Sequence, residues 1–442
     1  MAVSGPIDDP VGRATLAKVS WRLLPLIGLG YGIAYIDRVN ISFAALQMNQ
    51  DLHFSAAVYG LGGGLFFLSY ALFEVPSNML LVRFGARRWI ARIMLTWGVL
   101  AMGMMFVRTP IQFYATRFLL GLAEAGFFPG VVYYLTLWFP STYRGRAISR
   151  FYVAWPLSSV VMGALAGSLL HLNGRLGLSG WQWLFLVEGL PAVVMSGFVL
   201  FLLPDRPAEA PWLTLDQKQW IERRLASDAA RLGAPEEHSF LRALVNPLVL
   251  KLGAANFLIL GSFYAFTLSA PAFLVQATHL DANEVGFLVA VGGLLGAASM
   301  LLNSWHSDRT RERYLHLALP LMFMAVAFAV MGLASSAPTV IAAYLFAATC
   351  NASIAAVFWL APGDLLHPRA TAVSLAAINA IGQSGSFFSP YAWGLAKDYT
   401  GSFHAGLLAL PIAYIVATAI TLHLRSRARR LVVSALAEPA AS

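Results

Sequence analysis

The sequence contains little charge for its length. Of its 442 residues only 12% are charged, whereas 58% are hydrophobic and the mean hydropathy is +0.67. A soluble globular protein carries about 25% charged residues. The excess apolar surface requires a bilayer as its solvent, so the composition predicts an integral membrane protein.

Several other features are scarce or missing. The single cysteine, Cys350, excludes an intramolecular disulfide, and we interpret it as a small buried residue. The first twenty residues lack the short apolar core of a cleavable signal peptide, so we expect none. The Cys and His residues form no cluster that suggests a metal. The glycine-rich stretches 62–64 and 292–293 lack the lysine of a P-loop and are typical of close helix packing. We therefore expect no metal, nucleotide or other cofactor.

Long apolar stretches recur along the whole chain. Each is about the 20 residues that a membrane-spanning helix needs. We predict twelve spans, at about 21–45, 56–81, 88–107, 110–139, 147–170, 182–204, 247–275, 284–305, 314–334, 337–361, 370–396 and 403–424.

The basic residues are distributed unevenly between the predicted loops. A net charge of +9 could indicate a nucleic-acid partner. However, most Lys and Arg residues fall in segments that twelve spans would place on one side of the membrane. This is the positive-inside pattern, which predicts that both termini are cytoplasmic. We therefore expect the bilayer, not nucleic acid, to be the partner.

The longest polar stretch, 205–245, separates the first six spans from the last six. Thr214 and Gln217 have the spacing of a capping box, which predicts a short amphipathic helix. This helix is either a solvated linker or places Leu215, Ile221 and Leu225 toward the membrane surface.

Two basic loops occupy matching positions on either side of this linker. "VRFGARRW" (82–89) follows the second span, and "SDRTRERY" (307–314) follows the eighth. The match indicates an internal repeat, with which many transporters build two rocking halves around a central site. We predict an N-terminal half at 1–204, a linker at 205–245 and a C-terminal half at 246–442.

These loops and several longer stretches carry a family resemblance over nearly the whole chain. The longer stretches are "YIDRVNISFA" (35–44), "FEVPSNMLL" (73–81), "RFLLGLAEAGFFPG" (117–130) and "GWQWLFLVEGLPA" (180–192). Together they resemble the major facilitator superfamily, within it the anion:cation symporters, and among those the bacterial transporters of tartrate, phthalate and hydroxyphenylacetate-type acids. The resemblance implies an all-α fold of twelve transmembrane helices in two pseudo-symmetric halves, and proton-driven uptake of organic anions across the bacterial inner membrane.

The chain departs from the family pattern at two places. Val82 stands where relatives usually carry an acid before Arg83, so a charge latch in the N-terminal half is in doubt. The second loop keeps its acid, Asp308, beside Arg309. In the eleventh span, Gln383, Ser384 and Ser386 replace residues that relatives tend to have as Asn, an apolar residue and Gly.

Four charged residues lie inside predicted spans of the first half: Asp37, Arg38, Arg117 and Glu124. A charge at a helix centre costs about 2.5–3.5 kcal/mol on insertion scales, so these residues should be paired or line a wet cavity. The first and fourth helices of each half line the cavity in the superfamily fold. We expect Asp37 to face Arg117 and to leave Arg38 free in the cavity for a substrate carboxylate.

The roles of these four residues have structural alternatives. The Asp37–Arg117 pair could simply lock two helices together. Glu124 has no partner in the sequence apart from Arg117, so we expect it to take up a proton and serve, with Asp37, in proton coupling. Its alternative is a solvent-facing glutamate in a wide cavity.

The remaining candidates are polar or aromatic residues within the spans. The resemblance marks Tyr70 as a substrate contact, and Glu74 is expected to act at the cytoplasmic gate with Arg83, Asp308 and Arg309. We place Trp155 at the cavity. Asn379 and Gln383 share a helix face and are candidates for the far end of the substrate. Glu188 is interpreted as a packing or capping residue.

The sequence thus predicts a proton-coupled symporter of a small organic carboxylate anion. One alternative is an exporter of drugs or organic cations, against which Arg38 and Arg117 argue. Another is a membrane-embedded enzyme, for which no nucleophile–base pair or ligand set is found. We expect a monomer, although the sequence carries no direct signal of oligomeric state or of which acid is transported.

Overall fold

The structure is a computed structural model that describes residues 9–232, 245–310, 312–359 and 371–437. Part of the predicted linker, the junction of the tenth and eleventh predicted spans and Arg311 lie outside these residues. The regular elements in the described ranges are helices. The α-helices are α1 (Pro10–Asp51), α2 (Ala56–Phe84), α3 (Ala86–Gly103), α4 (Pro110–Glu124), α5 (Phe127–Thr136), α6 (Ser141–Tyr152), α7 (Ala154–Leu170), α8 (Gly180–Leu202), α9 (Leu215–Leu232), α10 (Pro247–Thr278), α11 (Ala282–Thr310), α12 (Tyr314–Leu333), α13 (Ala337–Phe358), α14 (Thr371–Thr400) and α15 (His404–Ala437).

The prediction of an all-α membrane protein is confirmed. In the described part of the chain, eleven spans are long and apolar enough to cross a bilayer. The remaining predicted span, the eleventh, corresponds to α14, whose 30 residues exceed the length required. It packs against α10 on one side and α2 on the other. Since neighbouring helices shield α14 from lipid, it tolerates the polar run "INAIGQSGS".

Several helices begin at a polar residue followed by proline. Asp9–Pro10, Thr109–Pro110 and Asn246–Pro247 start α1, α4 and α10. In each pair the first side chain accepts a hydrogen bond from a free backbone N–H of the first turn. Proline fits the next position because it has no N–H to leave unpaired and its φ is already helical. These pairs fix where the long helices enter the bundle.

Two predicted spans are each divided into two helices, which the hydropathy pattern does not indicate. α4 ends at Glu124 and α5 begins at Phe127, with Gly126 between them in the left-handed region at φ 85°. Pro129 has no N–H, so it cannot donate to the carbonyl of Ala125 as a helical residue would. Pro156, in the first turn of α7, likewise cannot donate to the carbonyl of Tyr152, the residue at which α6 ends. Proline removes an i to i−4 hydrogen bond and clashes with the preceding turn, so it kinks a helix.

We expect Gly126→Ala to destabilise the protein. An L-residue in the left-handed region costs about 1–2 kcal/mol, and a Cβ here would also lie 2.8 Å from the Cβ of Ser77. The thermal midpoint in detergent should therefore fall. Gly197→Ala is the matched control, because Gly197 lies within a helix and its Cβ would meet nothing within 4 Å. Equal midpoints for the two variants would contradict this account of the break.

The two halves of the bundle meet mainly at one end. We call the end that carries loops 82–89 and 307–314 the basic end, and the other the charge-poor end. α2 packs against α14, and α7 packs against α11. Toward the charge-poor end, Gly60 lies against the backbone of Pro390 and Gly163 against that of Gly286. Such approaches need glycine because a Cβ would collide with the facing backbone.

Asp398 links the two halves at the charge-poor end. The two carboxylate oxygens of Asp398, at the end of α14, accept hydrogen bonds from the N–H groups of Ala56 and Ala57 at 2.9 and 2.8 Å. These N–H groups open α2, where the helix dipole favours a negative charge. Asp398 thus caps a helix of the opposite half.

We expect Asp398→Ala to favour separation of the halves at the charge-poor end. Loss of a helix cap costs about 0.5–2 kcal/mol, which corresponds to roughly 2- to 30-fold in the open population. The rate of thiol labelling of a cysteine placed at Phe387, in a Cys350→Ser background, measures this opening. Tyr399→Ala changes the adjacent, 88% exposed side chain and should leave the rate unchanged. Identical rates for the two variants would show that Asp398 does not hold this end.

At the basic end, the linker helix α9 docks on the first half. Its capping box is present: Thr214 N–H donates to Gln217 at 3.2 Å, and Gln217 N–H donates to Thr214 at 3.4 Å. Ile221 is fully buried and Trp220 packs over Gly12 of α1, whereas Leu215 is exposed. The helix is therefore solvated on its polar face, while its apolar face packs against protein.

Candidate functional site

An ion pair lies in the middle of the N-terminal half. Arg38 on α1 donates from Nε to Oε1 of Glu124 at 2.7 Å, and its Nη2 lies 2.5 Å from the same oxygen. The Glu124 side chain is fully buried, while that of Arg38 is 12% exposed. Oε2 of Glu124 has no hydrogen-bond partner among the described residues. The pair is thus shut off from solvent on the Glu124 side and reachable from the Arg38 side.

The expectation that Arg38 is unpaired is therefore wrong. Arg117 and Glu124 lie seven residues apart on α4, about 10 Å along its axis, which is too far for a direct pair. Glu124 instead ends α4 immediately before the break, opposite Arg38 of α1. The expectation that Glu124 has no partner except Arg117 is wrong for the same reason.

Aromatic rings surround the two guanidinium groups. The Cζ of Arg38 lies 4.9 Å from the ring centre of Tyr70 and 5.8 Å from that of Phe66. The Cζ of Arg117 lies 4.8 Å from the same Phe66 ring. Ring faces attract cations, and the attraction is larger where water is excluded. Phe66 thus separates the two arginines, and Tyr70 contacts Arg38 directly.

Asp37 faces away from Arg38, as adjacent helical residues do. It is 1% exposed, and its Oδ1 accepts a hydrogen bond from Asn40 at 3.3 Å. Arg117 is electrostatically coupled to Asp37, but Oδ2 of Asp37 and Nη2 of Arg117 both lack a hydrogen-bond partner among the described residues. The expected Asp37–Arg117 contact is therefore an interaction at a distance and not a direct pair in this conformation. Arg117 donates instead to the carbonyl of Gly62 at 3.4 Å.

Glu188 adds a third carboxylate to this interior. It is 5% exposed on α8, and neither carboxylate oxygen has a hydrogen-bond partner among the described residues. It is electrostatically coupled to Asp37 and approaches Asn40. The carboxylates of Asp37, Glu124 and Glu188 thus lie in the same buried interior as the guanidinium groups of Arg38 and Arg117. Of the two sequence interpretations of Glu188, packing and capping, capping is excluded, since Glu188 lies within α8 and neither of its oxygens has a hydrogen-bond partner among the described residues.

A second polar contact joins the two halves. Nδ2 of Asn379 on α14 lies 3.4 and 3.3 Å from the two carboxylate oxygens of Glu74 on α2. Gln383, one turn further along α14, has a buried Oε1 without a partner among the described residues. Asn379 is therefore engaged with Glu74, and Gln383 is the side chain of this pair that keeps a free acceptor.

The predicted gate residues of the two basic loops are exposed. Arg83 stacks near the ring of Phe84 at 5.7 Å, and Arg309 near the ring of Trp305 at 5.5 Å. Asp308 is also exposed. In the first loop, the carboxylate of Asp205 accepts a hydrogen bond from the backbone N–H of Arg87 at 2.8 Å.

A cavity of about 130 Å³ lies between the halves, and Arg38 is not among the residues that line it. Tyr35 and Val39, which flank Arg38 on α1, line it, and so does Trp155. Trp155 packs edge-on against Tyr35 with ring centres 5.6 Å apart. The expected position of Trp155 at the cavity is confirmed.

The described residues contain no group of three His, Cys, Asp or Glu side chains that could hold a metal. The arrangement instead provides buried acids that can hold protons and one partly exposed guanidinium, that of Arg38. Such a site can bind an anion and couple its binding to a proton.

Sequence analysis missed Phe66, Asn40 and Tyr264 as parts of the site. Tyr264 of α10 lies against both Arg38 and Phe67, with its ring centre 4.0 Å from that of Phe67. Phe66 and Tyr70 were detectable by their i, i+4 spacing on one helix, and Asn40 by its i+3 spacing from Asp37. Nothing local in the sequence indicates Tyr264, which comes from the other half.

Comparison with known proteins agrees with this architecture. The sequence profile of the Major Facilitator Superfamily matches residues 27–390. A protein of Agrobacterium vitis named as a tartrate transporter is 42% identical, over 94% of this chain and 96% of its own. The metabolite transport protein NicT of Pseudomonas putida is 43% identical, over 89% of this chain and 91% of its own. A quinolone resistance transporter of Acinetobacter baumannii is 39% identical, over 92% of this chain and 94% of its own.

A solved structure shares the fold. The crystal structure of a bacterial homologue of the human lysosomal transporter Spinster, in an inward-facing and occupied conformation, superposes with a TM-score of 0.74. It is 16% identical and covers 91% of this chain and 96% of its own. The profile match, the relatives and the fold agree with the sequence resemblance: this chain is a multi-pass membrane transporter, not an enzyme, and belongs to the Major Facilitator Superfamily.

Proposed function

We propose that this transporter imports a small organic carboxylate together with protons, by alternating access across the bacterial inner membrane. The single observation that carries the proposal is the buried Arg38–Glu124 pair, whose arginine adjoins the cavity-lining Val39 on α1. Relatives named as tartrate and metabolite transporters support an organic acid as substrate. In this proposal both termini are cytoplasmic, as the positive-inside pattern predicts.

Glu124 and the substrate compete for one guanidinium. In the empty protein the Glu124 carboxylate holds Arg38 through contacts of 2.7 and 2.5 Å. A proton on Glu124 removes its charge and weakens that pair. Arg38 then turns toward the cavity and grips the substrate carboxylate with two parallel hydrogen bonds. Anion binding is thereby linked to proton uptake.

Tyr70 and Phe66 contact Arg38 and leave its positive charge available for binding an anion. Their ring faces stabilise the guanidinium without neutralising its charge. Asp37 and Arg117, behind them, carry opposite charges in the same buried interior and supply a second proton site at Asp37. Glu74, through Asn379, ties the halves on the basic side of the cavity. Opening and closing toward the basic end requires this contact to change.

Counterflow in proteoliposomes tests the proposal directly. Vesicles preloaded with an unlabelled organic acid should accumulate the same labelled acid, and an imposed inward proton gradient should drive net uptake. Absence of exchange for every organic acid tried, with a folded protein, would contradict the function.

A second candidate function is export of an organic compound. The relative named as a quinolone resistance transporter favours it. Export of an organic cation fits the site less well, since two guanidinium groups, Arg38 and Arg117, lie in the interior of the first half. Efflux of a fluorescent cation from loaded vesicles, driven by an opposing proton gradient, would distinguish the two directions.

A further inference from the structure

A groove opens on the surface of the first half, between α1 on one side and α6 and α7 on the other. Its volume is about 910 Å³, and it shares no lining residue with the cavity between the halves. Leu29 of α1 and Leu157 of α7 line it and are 57% and 45% exposed. Both are apolar and lie within membrane spans, so the groove opens toward lipid. We call it the lateral groove.

Three arginines line the lateral groove at the basic end: Arg13 of α1, and Arg146 and Arg150 of α6. All three are exposed, and none forms an ion pair with an acid among the described residues. Tyr143, which also lines the groove, contacts two of them. Its hydroxyl accepts a hydrogen bond from Nη1 of Arg150 at 3.2 Å, and the Cζ of Arg146 lies 6.0 Å from its ring centre. The groove thus ends in a positive cluster that is open to an anion.

The length of the lateral groove corresponds to one leaflet of a bilayer. From Arg13 to Leu29 the chain rises about 24 Å along α1. A leaflet with its headgroups is half of a bilayer of about 40–45 Å. Trp21 lies between the two ends, lines the groove and is 82% exposed. Since Trp prefers the boundary between headgroups and hydrocarbon, the order along the groove is positive charge, indole and apolar side chains.

The apolar part of the lateral groove has unfilled space. Gly28 lines it together with Leu24 and Pro25. Gly28 is buried, yet a Cβ added to it would meet nothing within 4 Å. Water fills such a space only where polar groups can bind it, and these residues offer apolar surface. An acyl chain is the component of the bilayer that suits it.

We propose that the lateral groove binds an anionic phospholipid of the leaflet at the basic end. The phosphate lies on the three arginines, and one acyl chain runs past Gly28 toward Leu157. Basic pockets between membrane helices bind such headgroups through their negative charge. A free phosphate would leave the apolar part empty, and a zwitterionic lipid would bring its own positive charge to the arginines. The site lies within one half, so the proposal does not depend on which substrate is transported.

Lipid titration of the delipidated full-length protein in detergent tests the site. Palmitoyl-oleoyl phosphatidylglycerol should raise the thermal midpoint in a saturable way, since a ligand that binds only the folded state stabilises it. The phosphatidylcholine with the same chains should bind at least tenfold more weakly, and glycerol phosphate, which has no chains, should have no effect at the same concentration. Equal stabilisation by phosphatidylcholine would overturn the role of the charge, and equal stabilisation by glycerol phosphate the role of the chain.

Two triple variants separate a defined site from a general attraction to the basic end. Replacing the three arginines of the groove by glutamine should weaken phosphatidylglycerol binding at least tenfold. The matched control replaces three exposed arginines of the basic end that do not line the groove: Arg22→Gln/Arg88→Gln/Arg427→Gln. The control loses the same net charge and should keep nearly the wild-type affinity. An equal loss of affinity in the two folded triple variants would overturn the proposal.

A substitution at Gly28 tests the position of the acyl chain and leaves the arginines intact. Gly28→Leu places a side chain in the open space of the groove and should weaken phosphatidylglycerol binding at least tenfold. Leucine is a better helix former than glycine, so the variant should fold. Gly197→Leu is the control, because Gly197 of α8 also has open space around it and does not line the groove. Wild-type affinity in Gly28→Leu would overturn the placement of the chain.

Discussion

Replacing Arg38 by alanine is expected to abolish substrate binding and counterflow. The guanidinium would make two charged hydrogen bonds to the substrate carboxylate, and each contributes about 1.5–3 kcal/mol. Their loss corresponds to at least about 100-fold in affinity. Arg38→Lys should fail nearly as badly, because an ammonium group is a point charge without the planar fork that matches a carboxylate.

Folding must be separated from binding in this test. Removing Arg38 leaves the buried Glu124 without its partner, and breaking a buried pair costs about 3–5 kcal/mol. The double variant Arg38→Ala/Glu124→Gln removes both charges and should recover thermal stability but not binding. Arg223→Lys, on the exposed face of α9, controls for loss of a guanidinium elsewhere. Wild-type affinity for any transported acid in Arg38→Ala would contradict the role of Arg38.

Replacing Glu124 by glutamine is expected to separate binding from coupling. Glutamine has the shape of the protonated acid and carries no charge, so Arg38 is released at every pH. Substrate should bind at least as well as to the wild type, and the fall in affinity at high pH should disappear. Exchange between two sides should continue because it needs no net proton release, whereas accumulation driven by a proton gradient should be lost.

The measurement pairs counterflow and proton-driven uptake in the same batch of proteoliposomes. Glu222→Gln, on the exposed face of α9, is the matched control and should behave as wild type in both. Full proton-driven accumulation by Glu124→Gln would show that another acid carries the coupling proton. Asp37 and Glu188 are then the candidates, because both are buried in the same interior.

The membrane-spanning helices were predictable because the hydropathy of a span depends only on the residues within that span. A run of about 20 apolar residues must cross the bilayer whatever surrounds it, so the spans follow from the sequence alone. The break at Gly126 was not predicted, since it lies inside a single long apolar stretch at 110–139. Only the left-handed φ of Gly126 and the missing N–H of Pro129 reveal it, and both act through backbone geometry that hydropathy does not register.

The buried charges were predictable as a set, but their pairing was not. The cost of a charge in the membrane identifies Asp37, Arg38, Arg117 and Glu124 as residues that need partners. Which acid meets which base depends on how α1 and α4 are rotated toward each other. Asp37 and Arg38 point about 100° apart on α1, so a rotation of the helix by that angle decides which of them faces α4. The sequence does not define this rotation, and the wrong pairing was therefore assigned.

Contacts between the halves could not be derived from local patterns. Glu74 and Asn379 are separated by 305 residues, and Asp398 meets Ala56 across 342. In its local sequence, each of these side chains resembles an ordinary polar residue near a helix end or within a span. Their roles follow only from the packing of α2 against α14.

Proton uptake on substrate binding tests the central claim most directly. The claim is that the substrate carboxylate displaces Glu124 from Arg38 and that Glu124 then takes a proton from solution. Purified protein in weakly buffered detergent solution is titrated, at about pH 7.5, with an ionised organic acid that counterflow shows to be exchanged, and the pH change is recorded. The account predicts uptake of about one proton per bound anion in the wild type and none in Glu124→Gln. Saturable binding of the anion to the wild type without proton uptake, or the same uptake in Glu124→Gln, would contradict it.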